Sequence, residues 1–378
     1  MRNALLHKPT DRLSPPLRVI YVGATDHYAN AFRRAQALHK LGAEVVAIPK
    51  FPDKSRRLAR LTVRVLHHAG YPPDLTGANR RVLEAAATGE YGILWVEQGG
   101  TLFARTLREA KRLCPELVRV HYCSDDCFGV CRAAFRSYRA TIPHYDLHFV
   151  PIDENIPQYL AAGARGVVRL RRGFCPDVHR PMGLTDQERK RLGSEVAFIG
   201  HWEQKRERDL AALIAAGIPT RVFGKPRHWR RGRFWKLIRP HFEPREVWGD
   251  DYARALSACK IGLCFLSKWN KDLANSRMFE IPACGAFMLC ERNKENVRVF
   301  EEGREAEFFG TPEELVEKAR HYLAHPDERK RIAAAGYVRC HRSGYDYASR
   351  MKWMLEQISQ RCGSLNLAGN ACNGGHRQ

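Results

Sequence analysis

The segment LRVIYVGATDHYANAFRRAQALHKLGAEVVAIP, residues 17–49, reads as one strand, one helix and a second strand. LRVIYVG (17–23) is a short apolar run with the β-branched content of a buried strand. YANAFRRAQALHKLG (28–42) places apolar residues at helical spacing and stops at Gly42. AEVVAIP (43–49) is again a strand. A crossover of this length joins strands that run parallel, so the unit is βαβ.

The same alternation continues down the chain. YGILWVE (91–97), LVRVHYC (117–123), DLHFVPI (146–152) and GVVRLRR (166–172) read as further strands. From 173 to 193 the pattern lapses into Pro, Gly and charge, and a domain boundary is expected there. It resumes with EVAFIG (195–200), TRVFG (220–224), KIGLCFL (260–266), AFMLC (286–290) and EAEFFG (305–310). The last of these leads into a helix with Thr311 as N-cap, Pro312 at N1 and Glu314 closing a capping box. The expected organisation is α/β, with two Rossmann-like doubly wound domains facing a central cleft. Their spans are 1–175 and 194–344, with a linker at 176–193. A C-terminal helix at 345–360 packs back on the body, and a disordered tail covers 361–378. Ligands of such folds bind outside the carboxyl ends of the strands.

Composition narrows the class. The chain has 378 residues, more than one hydrophobic core usually serves, and 44% of them are hydrophobic. No apolar run approaches the roughly 18 residues of a membrane span, and the apolar patch near the N-terminus is too short for a signal peptide. A cytoplasmic protein is expected, with its 12 cysteines reduced and mostly acting as small hydrophobes. The net charge of +22 points to an anionic partner. That charge is concentrated. Residues 221–240 carry eight Lys or Arg and no acid, and residues 51–70 carry five against one Asp.

One carboxylate stands out. In DLANSRMFEIPACGAFMLCE (272–291), Glu280 lies between Met278–Phe279 and Ile281–Pro282, with an apolar strand beyond Gly285. A helix starting near Asn275 or Ser276, at a strand end, offers backbone N–H groups to a phosphate. Arg277 adds a fork for phosphate oxygens. Glu280, one turn on, is placed to accept hydrogen bonds from the two hydroxyls of a ribose. The plain alternative is a surface carboxylate on a capped helix. Pro282 is expected to kink that helix.

NSRMFEIPACGAFML, together with VFEEGREAEFFGTPEELVEKARHYLAHPDERKRIAAAGYVRC, resembles the C-terminal half of the CgeB-like (spore maturation type) glycosyltransferases, a branch of the GT-B superfamily. YDLHFVPIDENIPQYLAAGA and VAFIGHWEQKRERDLAALIAAGIPTRVFG extend the resemblance over about residues 116–355. It implies a nucleotide-diphosphate sugar as co-substrate, a glycan or lipid-linked hydroxyl acceptor, and leaving-group stabilisation without a bound metal. In related retaining enzymes an E-x7-E pattern puts the second Glu on the ribose and the first near the donor sugar. Glu280 takes the second place. The first is Asp272, one methylene shorter, which leaves retention or inversion open. The resemblance also implies that Gly200 lets the donor approach and that Arg206 neutralises its diphosphate, ahead of Lys205 and Arg208. Donor binding is thus expected at Gly200, Arg206, Asn275, Ser276, Arg277 and Glu280, and catalysis at Asp126 and Asp272.

In VHYCSDDCFGVC (120–131), Asp125 and Asp126 follow a strand, and one could deprotonate an acceptor hydroxyl. They could equally cap a turn. His121, and Asp26 and His27 after the first strand, are weaker candidates. Cys123, Cys127 and Cys131 recur at every fourth position, a spacing unlike that of zinc sites. KPRHWRRGRFWKLIRPHF (225–242) interleaves aromatics and Arg. It suits an anionic membrane surface, with Trp at the headgroups. A single-stranded nucleic acid is the less favoured partner, since no nucleic-acid-binding signature appears, and a plain solvated basic loop is the third reading. The rival readings are a sugar-nucleotide epimerase on the same fold and a non-catalytic basic binding module.

Overall fold

A computed structural model of the chain describes residues 16–52, 65–66, 68–130 and 132–363. The chain forms two compact units. One runs to Leu170 and takes in the residues from Ala348 onward, and the other is Arg171–Tyr347.

The first unit is built on a parallel sheet of six strands: β1 (Arg18–Gly23), β2 (Glu44–Pro49), β3 (Ile93–Glu97), β4 (Val118–Tyr122), β5 (Leu147–Val150) and β6 (Val167–Arg169). Their spatial order is β2-β1-β3-β4-β5-β6. In β3 and β4 every residue is buried, as a parallel strand covered on both faces requires. Ile20, Val22, Leu94 and Val96 pack against Val82, Leu107 and Ala110 of the flanking helices. The C-terminal helix, Tyr347–Cys362, sets Trp353 edge-on to Phe149 with ring centroids 6.4 Å apart.

The second unit repeats the plan with β7 (Ser194–Ile199), β8 (Thr220–Phe223), β9 (Phe242–Glu243), β10 (Cys259–Cys264), β11 (Phe287–Glu291) and β12 (Glu307–Phe309). The order is β12-β11-β10-β7-β8-β9, all parallel. This is the dinucleotide-binding order of a doubly wound fold, and the chain reverses its direction of travel across the sheet between β7 and β10. Two apolar clusters cover the two faces, one around Met278, Phe279 and Phe308 and the other around Phe198, Leu210 and Leu289.

Every strand expected from the sequence is present. The two-residue edge strand β9 was not expected, since it lies in the polar segment after the basic run. Residues 176–193, expected as a linker, fall within the span of the second unit. A full capping box between Thr185 and Glu188 starts the helix Asp186–Leu192 there, and Val178 and Leu192 are buried. The box expected at Thr311 is half formed. Thr311 Oγ1 accepts from Glu314 N, but the Glu314 carboxylate accepts from Gly310 N. The tail from residue 364 and most of the basic cluster in 51–70 lie outside the described residues.

Candidate functional site

The reversal between β7 and β10 opens the carboxyl edge of the second sheet, and the expected donor residues gather there. The chain leaves β7 at Gly200, whose N–H donates to Phe223 O of β8. A Cβ on Gly200 would lie 2.8 Å from Phe198 Cζ and 3.2 Å from Arg277 Nη2, so any side chain here would push against both. Arg277 Nε donates to Ile199 O at 2.6 Å. Its two Nη groups have no hydrogen-bond partner among the described residues, and the side chain is partly exposed.

Arg206 lies in the first turn of the helix Gln204–Ala215 and is buried. It pairs with Glu203 at 2.8 Å and donates to His201 O at 3.1 Å, which leaves its Nε buried without a partner. Burial pulls its basicity below the usual guanidinium value, Arg277 lowers it further, and Glu203 opposes both. His201 is also held below its ordinary value, by desolvation first and then by Arg277, Lys225 and Arg206. Two guanidinium groups, Arg206 and Arg277, thus stand close together at this edge. Lys205, expected as an alternative, is turned to Asp209 and lies 3.5 Å from Glu291.

The loop from β10 to the helix Arg277–Ala283 is braced at several points. Asn275 Nδ2 donates to Phe265 O at 2.7 Å, so Asn275 shapes the loop from a buried position. Glu291, at the end of β11, accepts from Leu266 N, and Glu203 accepts from Lys268 N. Lys271 has φ +46°, a left-handed conformation that non-glycine residues hold only where the surroundings enforce it. Next to it, Asp272 Oδ1 accepts from Arg172 and from Asn270, each at 2.9 Å. Ser276 precedes the helix without capping it by its side chain. Pro282 sits in the last turn, where the helix ends at Gly285 with φ +76°, so the expected kink becomes a termination.

Glu280 is 8% exposed. Tyr252 donates its hydroxyl to Oε2 at 2.8 Å, and His179 Nε2 lies 3.8 Å from Oε1. The fixing of Glu280 by Tyr252 and His179 was not read from the sequence, where these residues lie 28 and 101 positions earlier. Burial, then the Glu280 charge, pushes the Tyr252 phenol up, so Tyr252 stays a donor.

The first unit has its own polar cluster, at the carboxyl ends of β1–β4. Glu97 is buried and accepts from Arg34 at 2.7 and 2.5 Å and from Tyr21 at 2.5 Å. Lys50, just past β2, donates to Glu97 O at 3.1 Å, and burial brings its pKa down to about 8. Gln98 has φ +47° and donates its side-chain amide to Ser124 and, at 2.7 Å, to Asp125 Oδ2. Only the carboxylate ending the apolar run ILWVE signalled this cluster in the sequence. Asp126 is buried, and its Oδ1 accepts from Phe128 N, Gly129 N and Asn155 Nδ2, which holds the turn. His121 lies within the core, accepting from Gly99 N and facing Tyr138 OH. Cys123 and Cys127 are buried free thiols, and Cys131 lies outside the described residues. Among the described residues no group of three or more His, Cys, Asp or Glu is arranged to hold a metal ion, and no helix is long and apolar enough to cross a membrane.

Comparison with known proteins agrees with this architecture. Residues 205–356 match a family model described as glycosyl transferase-like. No protein of curated function matches in sequence. The fold is similar to that of Anabaena HepE in complex with UDP-glucose, with TM-score 0.60 and 12% identity over 91% of this chain and 100% of the other. It is similar to sucrose-phosphate synthase from Thermosynechococcus elongatus, with TM-score 0.62 and 12% identity over 91% and 98%. A Listeria monocytogenes protein assigned as a UDP-N-acetylglucosamine 2-epimerase matches with TM-score 0.51 and 14% identity over 92% and 99%. The chain thus has the fold of the GT-B glycosyltransferases, two Rossmann-like domains each on a parallel six-stranded sheet, and its segment 205–356 is similar to the glycosyl transferase-like sequences.

Proposed function

We propose that this protein transfers a glycosyl group from a nucleoside diphosphate sugar to a hydroxyl acceptor. The observation that carries the reading is the open guanidinium at the reversal of the second sheet. There Arg277 presents two unpartnered Nη groups beside Gly200, with Arg206 buried behind it. Such an edge suits a diphosphate, and the glycosyl transferase-like match over 205–356 supports the same reading.

In this reading Arg277 and the Ser276 hydroxyl meet the diphosphate, and Arg206 raises the potential behind them. Glu280, oriented by Tyr252, takes the ribose hydroxyls, and Asn275 holds the loop. Transfer breaks the bond between the anomeric carbon and the phosphate oxygen. The diphosphate leaves with the electron pair and the acceptor oxygen bonds to the anomeric carbon. Cations placed where that negative charge develops lower the barrier. Asp272, clamped by Arg172, lies on the loop nearest the donor sugar. The acceptor proton passes to a carboxylate. The charge at the diphosphate comes from side chains, so a chelator leaves transfer unchanged.

The test is calorimetric titration with UDP, GDP, ADP and CMP, followed by product analysis with the sugar nucleotide of whichever base binds. Selective binding and a glycosylated acceptor are expected. Epimerised donor in the absence of acceptor would assign the protein to the epimerases, and failure of every nucleotide to bind would end the reading.

A further inference from the structure

We propose that residues 225–239 form a cationic face that docks on an anionic lipid surface. The inference is independent of the transfer reaction and rests on how this segment is built. Its rings turn inward. Trp229 is buried, Phe234 and Trp235 pack on the core, and Ile238 is fully buried. Its cations turn outward. Arg227, Arg230, Arg231, Arg233, Lys236 and Arg239 are all exposed, and none has a carboxylate partner among the described residues. The two acids that follow are already taken, Glu246 by Lys225 and Glu243 by Arg245.

The face is held in shape from below. Glu207, buried on the helix Gln204–Ala215, accepts from Phe234 N at 2.7 Å and from Trp202 Nε1 at 3.0 Å. A Cβ at Gly232 would fall 2.0 Å from Glu207 Oε1, so the segment passes over that carboxylate only because residue 232 is glycine. Trp229 Nε1 donates to Gly200 O at 3.3 Å, which ties the segment to the turn after β7. A solvated loop has no need of a buried carboxylate reserved for its backbone.

The inward rings decide the partner. Single-stranded nucleic acid is bound by aromatic platforms with bases stacked on them, and here Trp229 is core while Phe234 and Trp235 are half-buried against it. What remains outside is a set of point charges and Leu237, which is 38% exposed. A plane of lipid phosphates asks for that and for no insertion of the buried Trp229. Attraction of this kind acts only within a Debye length and is screened by salt.

The test is flotation of the full chain with vesicles of phosphatidylcholine alone and of phosphatidylcholine with phosphatidylglycerol, at low and high salt. Binding to the anionic vesicles only, and its loss at high salt, is expected. Each cation removed should weaken partitioning about fivefold, so the pair Arg230→Ser and Arg231→Ser should weaken it roughly 25-fold. Both positions are exposed, so the thermal midpoint and any nucleotide binding should not move. Absence of binding, or equal binding by the double variant, would overturn the proposal. Tighter binding of a duplex RNA than of the vesicles at the same salt would also overturn it and give the face to nucleic acid. Wild type that binds vesicles but no nucleotide would sink the transferase reading and leave this one standing.

Discussion

Both sheets carry charged residues at the carboxyl ends of their strands, and the two clusters differ in how far they satisfy themselves. In the first unit Glu97 takes both arms of Arg34 and the Tyr21 hydroxyl, and Lys50 is spent on backbone carbonyls and the Gln98 side chain. Arg34 also lies over the Tyr122 ring at 4.5 Å. In the second unit the cations at the edge are not all spent. Arg277 uses one nitrogen of three, and Arg206 keeps its Nε buried without a partner. A closed network contributes its charge pairs to the fold, whereas an open one leaves donors for a ligand. Perturbed ionisation alone would not tell them apart, because both clusters show it.

The contrast is broken or sharpened by three variants. Glu97→Ala leaves Arg34 buried without its carboxylate, and removing one partner of a buried pair costs about 3–5 kcal/mol. The urea midpoint should fall accordingly. A drop of less than about 1 kcal/mol would mean that the first cluster is not closed in the sense argued.

Lys50→Met probes the same cluster through pH. The folded pKa of Lys50 is lowered from 10.5 to about 8, so between those values the unfolded chain binds the extra proton. Stability attributable to Lys50 therefore rises with pH across that window, by on the order of 3 kcal/mol, and the charged form is a liability below it. The difference in unfolding free energy between wild type and Lys50→Met, followed from pH 8 to pH 10.5, should show that slope. Parallel curves would mean that Lys50 is solvated.

Arg277→Ala belongs to the open cluster. It should weaken binding of the nucleoside diphosphate by about 1.5–3 kcal/mol, on the order of 10- to 150-fold, with the midpoint of unfolding nearly unchanged. A large loss of stability with intact binding would reverse the comparison.

How much could be read beforehand depended on the range of each interaction. The strands LRVIYVG and EVAFIG announce themselves by apolar runs, and Thr311 by its local cap. The residues at the second reversal, Gly200, Arg206 and the segment 275–280, were named from the sequence and do lie at the same sheet edge. The inner roles of Asn275 and Asp126 were not visible, because a carboxamide or carboxylate facing its own loop looks like one facing a ligand. Tyr252 and His179 beside Glu280 were invisible for another reason. They come from other elements, and nothing local marks the pairing.

The sequence by itself determined the α/β class, every strand but β9 and the excess of positive charge, because hydrophobic period and turn chemistry act over a few residues. Only the tertiary structure decided which charges are spent. It buried Arg34 against Glu97, left Arg277 open beside Gly200, and turned the rings of 225–239 inward over Glu207. Those outcomes depend on neighbours many residues away along the chain, and burial converts each one into either a bond of the fold or a donor for a partner.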